Sequence, residues 1–157
     1  MVQLIGDISG TALYPKSNFA EPWDLLSRPP ATQKLVHQKP DLFGQSGFHY
    51  GTFITPAGLT FLSQYADGIG PWKEQWYSQN TSRLSAAQLK PYGLQIHPYT
   101  FRAEAEFLPV GFATLQDELR HRYQQGIDGV FTDFTGIAVK ARAETCALKS
   151  MTRQTPH

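Results

Sequence analysis

The chain has one cysteine, Cys146, in 157 residues. That excludes an intramolecular disulfide, and a lone thiol cannot assemble a tetrahedral zinc site. Cys146 therefore reads as a small apolar residue in a helix rather than a nucleophile. Charge of one sign is equally scarce: 14 Lys and Arg against 13 Asp and Glu leave a net charge of +1. Nothing in that balance draws in a polyanion, so no nucleic-acid partner and no anionic membrane surface is expected. Long hydrophobic runs are missing. Without about 18 consecutive apolar residues there is no expected membrane span, and without a charged, apolar, small-residue leader no signal peptide is expected. The compartment stays open.

What is present is the composition of one globular domain, 41% hydrophobic and 17% charged. A folded chain of about this length buries roughly 70% of its unfolded surface, enough for a real core. The most informative stretch is LQIHPYTFR, Leu94 to Arg102. Leu94, Ile96 and Pro98 share one parity and Gln95, His97 and Tyr99 the other, which predicts a strand with distinct faces. Gly93 before it suits a helix C-terminus or turn, and the AEAE run after Arg102 returns to solvent. In a parallel α/β sheet ligands gather beyond the carboxyl ends of the strands, where Tyr99 and Arg102 would stand.

The rest of the chain falls into alternating units. VQLI at Val2 to Ile5 is strand-like. From Gly6 to Thr52 the periodicity fails among Pro15, Pro22, Pro29, Pro30 and Pro40, so a long loop insertion over 6–52 with one short helix is expected. Thr55-Pro56 opens a helix to about Tyr65 with Leu59, Leu62 and Phe61 inward. YADGIGP at Tyr65 to Pro71 suits a strand that another backbone approaches closely at Gly68 and Gly70. Trp72 to Asn80 reads as a loop, and Ser82 to Pro91 as a short helix. Thr114 with Asp117 is a variant capping box for a helix to Gln125, with Leu115, Leu119 and Tyr123 on one face and Gly126 ending it. GVFTDF at Gly129 to Phe134 predicts a second buried strand, and Thr135 a cap for a last helix through Ala138 and Ala141. A polar tail is expected over 146–157, its last residues from Lys149 frayed. Strand and helix alternate throughout, which argues for an α/β fold of parallel βα units.

Three stretches together, YADGIGP (Tyr65 to Pro71), LQIHPYTFR (Leu94 to Arg102) and GIDGVFTDF (Gly126 to Phe134), resemble the last three barrel strands of bacterial glycerophosphodiester phosphodiesterases of the periplasmic-type branch, with VQLI similar to the strand before them. The resemblance covers residues 1–145. It implies a TIM-barrel family that hydrolyses glycerophosphodiesters to glycerol 3-phosphate and an alcohol with a divalent metal, Ca2+ or Mg2+. It also implies substrate-binding roles for Tyr99, against the glycerol, for Arg102 at the same rim, and for His97 and Asp133. In the family the first strands carry a His-Arg-Gly motif, a Glu-x-Asp metal pair and a second catalytic histidine, and none is recognisable here. His121-Arg122 continues with Tyr123 inside a predicted helix, and Glu21 and Asp24 in the proline-rich loop make a poor metal pair. No metal ligands and no catalytic residues are therefore assigned. Where the family has proline two residues after the last-strand aspartate, this chain has Thr135. Asp67 suits a turn, and Trp72 and Trp76 would line the active face.

A complete eight-stranded barrel takes about 250 residues. Four βα units here correspond to its second half, a partial TIM barrel inactive alone. The partners this implies are a glycerophosphodiester or glycerol phosphate where a site is completed, and a complementary N-terminal half or a second copy along the open edges. The competing readings are a non-catalytic half barrel that binds or self-associates, and a complete enzyme with an unfamiliar site built from His97, Asp133 and Asp67.

Overall fold

Three short parallel strands lie side by side in the order of the sequence: β1 (Val2–Ile5), β2 (Gly68–Pro71) and β3 (Gln95–Ile96). They belong to a computed structural model that describes residues 1–6, 8, 50–77 and 84–152, and only the backbone of Trp76, Tyr77, Met151 and Thr152. The register pairs Leu4 with Gly70 and Ile69 with Ile96. Helices α1 (Tyr50–Phe53) and α2 (Pro56–Leu62) precede β2. Then α3 (Glu74–Tyr77), α4 (Ala86–Leu89) and a 3-10 turn at Lys90–Tyr92 precede β3. A 3-10 turn at Ala105–Phe107, α5 (Leu115–Gln124) and α6 (Thr135–Thr152) follow it.

The strand expected over 94–102 is regular for only two residues. Pro98 has no N–H to give a ladder, yet the bonds to β2 continue past it, from the Tyr99 N–H to the Pro71 carbonyl at 3.0 Å, before the Phe101 N–H turns to the Phe131 carbonyl at 3.0 Å. On its other side the Gly129 and Phe131 N–H groups donate to the Ile96 and Pro98 carbonyls at 3.2 and 2.9 Å. Residues 129–132 thus form a fourth parallel line, closed by a bridge between Phe101 and Thr132. This corrects the expectation of a second buried strand: the segment is extended but lies at the edge, and Phe131 is 41% exposed. Among the described residues no further strand lies beyond it.

One face of this sheet is covered. Ile5, Ile69 and Ile96 are fully buried in a single cluster with Leu59, Leu62, Leu89, Leu115 and Leu119 from the helices. The other face carries Leu4, 43% exposed, with His97 and Phe131. Its glycines explain the motifs. A Cβ on Gly70 would stand 2.9 Å from Leu4 Cδ2 and 3.1 Å from Phe131 Cε2, and one on Gly129 would stand 2.8 Å from the His97 ring. Large side chains from neighbouring strands lie over the positions where these residues have none.

Local chemistry sets the helices. The Thr55 hydroxyl accepts from the Gly58 N–H at 3.1 Å and Pro56 takes the first turn, so α2 begins where expected and stops at Leu62 in a turn. Ser85 caps α4, and Gly93 closes the following 3-10 turn in the left-handed region, φ 71°. Thr114 accepts from the Asp117 N–H at 3.2 Å to start α5, and Gly126, φ 99°, follows its end. Thr114→Ala is expected to lower stability by about 1 kcal/mol, the usual value of such a cap, read as a shift in urea midpoint at unchanged slope.

Three boundaries differ from the sequence expectation. Residues 50–52, expected in the long loop, open α1, and residues 74–77, expected as loop, form α3. The last helix also runs through 146–152, where a polar tail was expected, and there the Lys149 ammonium ties it to the Tyr123 carbonyl of α5 at 2.9 Å. Most of the loop over 6–52 and residues 153–157 lie outside the described residues.

Candidate site at the carboxyl ends of the strands

All four parallel lines leave the sheet at one end, and the residues singled out in the sequence cluster there or on the open face below. His97 stands opposite Gly129, its ring centroid 6.5 Å from that of Phe131. Burial holds its imidazole below the usual histidine value, with Asp128 acting in the opposite sense and Arg142 in the same one. The charge of Asp128 is itself engaged, accepting from the Ile96 N–H at 3.0 Å. His97 is thus a neutral, half-buried ring at neutral pH, two residues short of the rim.

Tyr99 lies at the rim. Its hydroxyl reaches across β2 to donate to the Ile5 carbonyl at 3.0 Å, and its backbone pairs with Trp72. Trp72 in turn donates its N–H to Ile5 at 2.9 Å, and the Lys73 N–H donates to the Tyr99 carbonyl at 2.6 Å. Gln75 reaches the Gly6 carbonyl through its side-chain amide. The exits of β1, β2 and β3 are therefore tied together by Tyr99, Trp72 and Gln75. The side chain of Trp76 is outside the described residues.

Arg102 and Asp133 are brought together at the next exit, Nη1 to Oδ2 at 3.3 Å. The same guanidinium holds Glu104 in a fork, at 3.2 and 2.5 Å, and lies over the Phe107 ring at 5.4 Å. Arg102 holds the Glu104 carboxyl down at about 2, and Glu104 raises Arg102 in return. All three guanidinium nitrogens thus face carboxylates. These groups are solvent-facing, and exposed pairs contribute little to stability. An anion arriving at this rim would compete with Glu104. Asp67 stands at the opposite end of β2, where its carboxylate meets the Met1 amino group. It does not join His97 and Asp133. Glu21 and Asp24 lie outside the described residues, and His121 and Arg122 lie within α5 as expected.

The sequence reasoning missed a buried charged group behind the rim. Glu118 is completely buried, and Lys73 and Arg122 are each 5% exposed. Lys73 Nζ lies 3.7 Å from Glu118 Oε1, donates to the Phe107 carbonyl at 2.7 Å and sits 5.5 Å from the Phe101 ring centroid. Burial pushes the Glu118 carboxyl up to about 7, against the attraction of Lys73 and Arg122, and burial pushes Arg122 down to about 10. The signal was available: Leu115, Glu118, Leu119 and Arg122 fall at i, i+3, i+4 and i+7, one stripe of a helix.

Among the described residues no three His, Cys, Asp or Glu side chains stand close enough to hold a metal ion. The described residues do not fit the divalent metal that the resemblance implies.

The architecture defines a mixed helix-strand chain with a parallel sheet, consistent with an α/β fold. Comparison with known proteins is more specific. The chain is 40% identical over 96 residues to a glycerophosphodiester phosphodiesterase of Arabidopsis thaliana, which is 55% of this chain and 25% of that protein. It is 32% identical over 103 residues to one of Haemophilus influenzae, 59% of this chain and 27% of that protein. With one of Treponema pallidum it shares 29% over 125 residues, 74% of this chain and 35% of that protein. No protein-family model matches. These relatives support the glycerophosphodiester phosphodiesterase family for this chain, and each match spans between 25% and 35% of the relative's own length.

Proposed function

We propose that this chain is part of a glycerophosphodiester phosphodiesterase barrel, of the bacterial periplasmic-type branch, and that it supplies the wall of the site that holds the glycerol phosphate end of a phosphodiester. The observation that carries this is the rim itself. Tyr99 and Trp72 are fastened at adjacent strand exits, with Arg102 and Asp133 at the next one. An aromatic face suits the CH side of a polyol, and a guanidinium suits phosphate oxygens. Four parallel lines in sequence order, without the reversal of a doubly wound sheet, support a segment of a barrel. The open sheet face, with Leu4 and Phe131 half exposed, supports completion by further strands.

Hydrolysis of the diester to glycerol 3-phosphate and an alcohol needs charge neutralisation at phosphate and a proton for the leaving alkoxide. Among the described residues the chain offers His97, whose burial favours the neutral imidazole, near the rim, and no metal-holding set. By itself it binds rather than hydrolyses.

The test has two arms on the purified 157-residue chain. Glycerol 3-phosphate is expected to shift the amide resonances of Tyr99 and Arg102, and Tyr99→Ala to abolish the response. Glycerophosphocholine with Ca2+ or Mg2+ is expected to yield no glycerol 3-phosphate above background. Turnover that survives purification and disappears in His97→Ala would replace the proposal with a complete enzyme, and a chain whose rim resonances ignore the ligand would remove it.

A further inference from the structure

We infer that Lys73 and Glu118 are positioning residues that hold the Trp72 and Tyr99 rim in place, so that the geometry of the rim follows the ionisation of a carboxyl group buried behind it. The ligand of that rim rests on the function proposed above; the fastening does not.

Lys73 touches four parts of the molecule at once. Its backbone follows Trp72 out of β2 and donates to the Tyr99 carbonyl. Its ammonium binds the Phe107 carbonyl, and the Phe107 ring covers Arg102. Besides the Phe101 ring, 5.5 Å away, its electrostatic partner is Glu118 on α5, at 3.7 Å and fully buried. The groups that act on Glu118 come from three directions: Lys73 from the turn after β2, Glu74 from the start of α3, and Arg122 from α5 itself. Arg122 is itself taken up by Gln125 at 2.7 Å and by the face of Phe112 at 5.4 Å.

An ammonium 5% exposed has little water to compensate it. With Glu118 ionised, Lys73 is held between a carboxylate and the Phe107 carbonyl. With Glu118 neutral, it keeps the carbonyl and loses the opposite charge, and the balance shifts towards drawing the ammonium outward. Because the Lys73 backbone carries the hydrogen bond to Tyr99, movement of the side chain is transmitted to the rim. Burial places the Glu118 transition near neutral pH, at about 7.

The experiment is a set of 1H–15N spectra of the full 157-residue chain, without ligand, from about pH 5.5 to 8.5. The amides of Lys73 and Tyr99 and the Trp72 indole N–H are expected to move together with one midpoint near 7. Glu118→Gln is expected to remove that transition with the circular dichroism spectrum unchanged. Glu118→Asp keeps a carboxyl group and is expected to retain it. His97→Gln and His121→Gln are also expected to leave it in place. Lys73→Met, with Glu118 intact, provides a second route to the same loss. Rim resonances that titrate identically in Glu118→Gln and Lys73→Met, or that follow a histidine variant, would overturn the inference. A Glu118 that only filled space would change stability and leave no rim transition to lose. Glycerol 3-phosphate added to the same samples tests the ligand separately: an intact rim transition without a ligand response would remove the proposed function and leave the fastening standing.

Discussion

Gly58→Ala is expected to cost about 3 kcal/mol, at or beyond the upper end for overpacking a close-packed site, and to leave the chain largely unfolded at modest urea. Gly58 lies in the first turn of α2, where the chain doubles back on α1. A Cβ there would stand 2.6 Å from Phe53 Cα and 2.8 Å from its carbonyl carbon, and closer still to the Thr52 carbonyl oxygen. All three are backbone atoms, so no rotamer change relieves the overlap. Nor can the corner open cheaply. Thr55 accepts from the Gly58 N–H and gives its hydroxyl to the Thr52 carbonyl at 2.8 Å. Phe53, Leu59 and Leu62 on either side are fully buried. Gly136 is the control. Nothing lies within 4 Å of its added Cβ, and it sits in the first turn of α6. Gly136→Ala is expected to leave stability unchanged or raise it by up to about 1 kcal/mol, the difference in helix propensity. Urea unfolding of both variants decides the matter, and equal midpoints would show that the corner yields.

Gly58 also marks where sequence and structure part company. Thr55-Pro56 announced a helix start, and the start is where it was expected, because capping chemistry is local. The close approach of α1 to that turn is a tertiary fact, and α1 itself was hidden inside a stretch without periodicity. The same division holds at the site. Parity sorted His97 and Tyr99 from Leu94, Ile96 and Pro98, and the structure buries the second set and leaves the first partly open. The glycine motifs predicted close approach, and the open face supplies Leu4, His97 and Phe131 to make it. Parity could not show that GVFTDF would be an edge, because burial depends on what lies beside a strand. Nor could composition show that Arg102 would face two carboxylates, since Glu104 is a neighbour along the chain but Asp133 meets it only through the fold. Glu118 was different in kind. Its helical spacing was readable, but the inward face was read as Leu115, Leu119 and Tyr123 without it, and its cation, Lys73, comes from the turn after β2.

That misreading leads to the second large effect. Lys73→Met is expected to destabilise the chain by about 3 kcal/mol at pH 8.5, the lower end for removing one partner of a buried pair, and by much less at pH 5.5. Methionine keeps a similar length of apolar chain, so what it removes is the ammonium, with its place 5.5 Å from the Phe101 ring centroid and its bond to the Phe107 carbonyl. In the native chain burial has already raised the Glu118 carboxyl from 4.5 to about 7, with Lys73 as the first force opposing that rise. A folded pKa above the unfolded one contributes stability that is complete below about 4.5 and is lost as pH rises through about 7. Without Lys73 the Glu118 carboxyl rises further. Its ionisation in the folded state then costs more, and that extra cost appears only where the native folded form ionises, above about 7, so the variant's deficit grows as pH rises past that value. At pH 5.5 both folded forms carry a neutral Glu118, and the remaining difference is the single hydrogen bond to Phe107, about 1 kcal/mol. Urea midpoints of the two proteins at the two pH values give the result directly. A deficit of equal size at both would assign the effect to the lost contacts with Phe101 and Phe107 and deny the carboxyl any part in it. A deficit that closes on acidification would show that α5 and the turn after β2 are joined through charge, as the 3.7 Å contact requires.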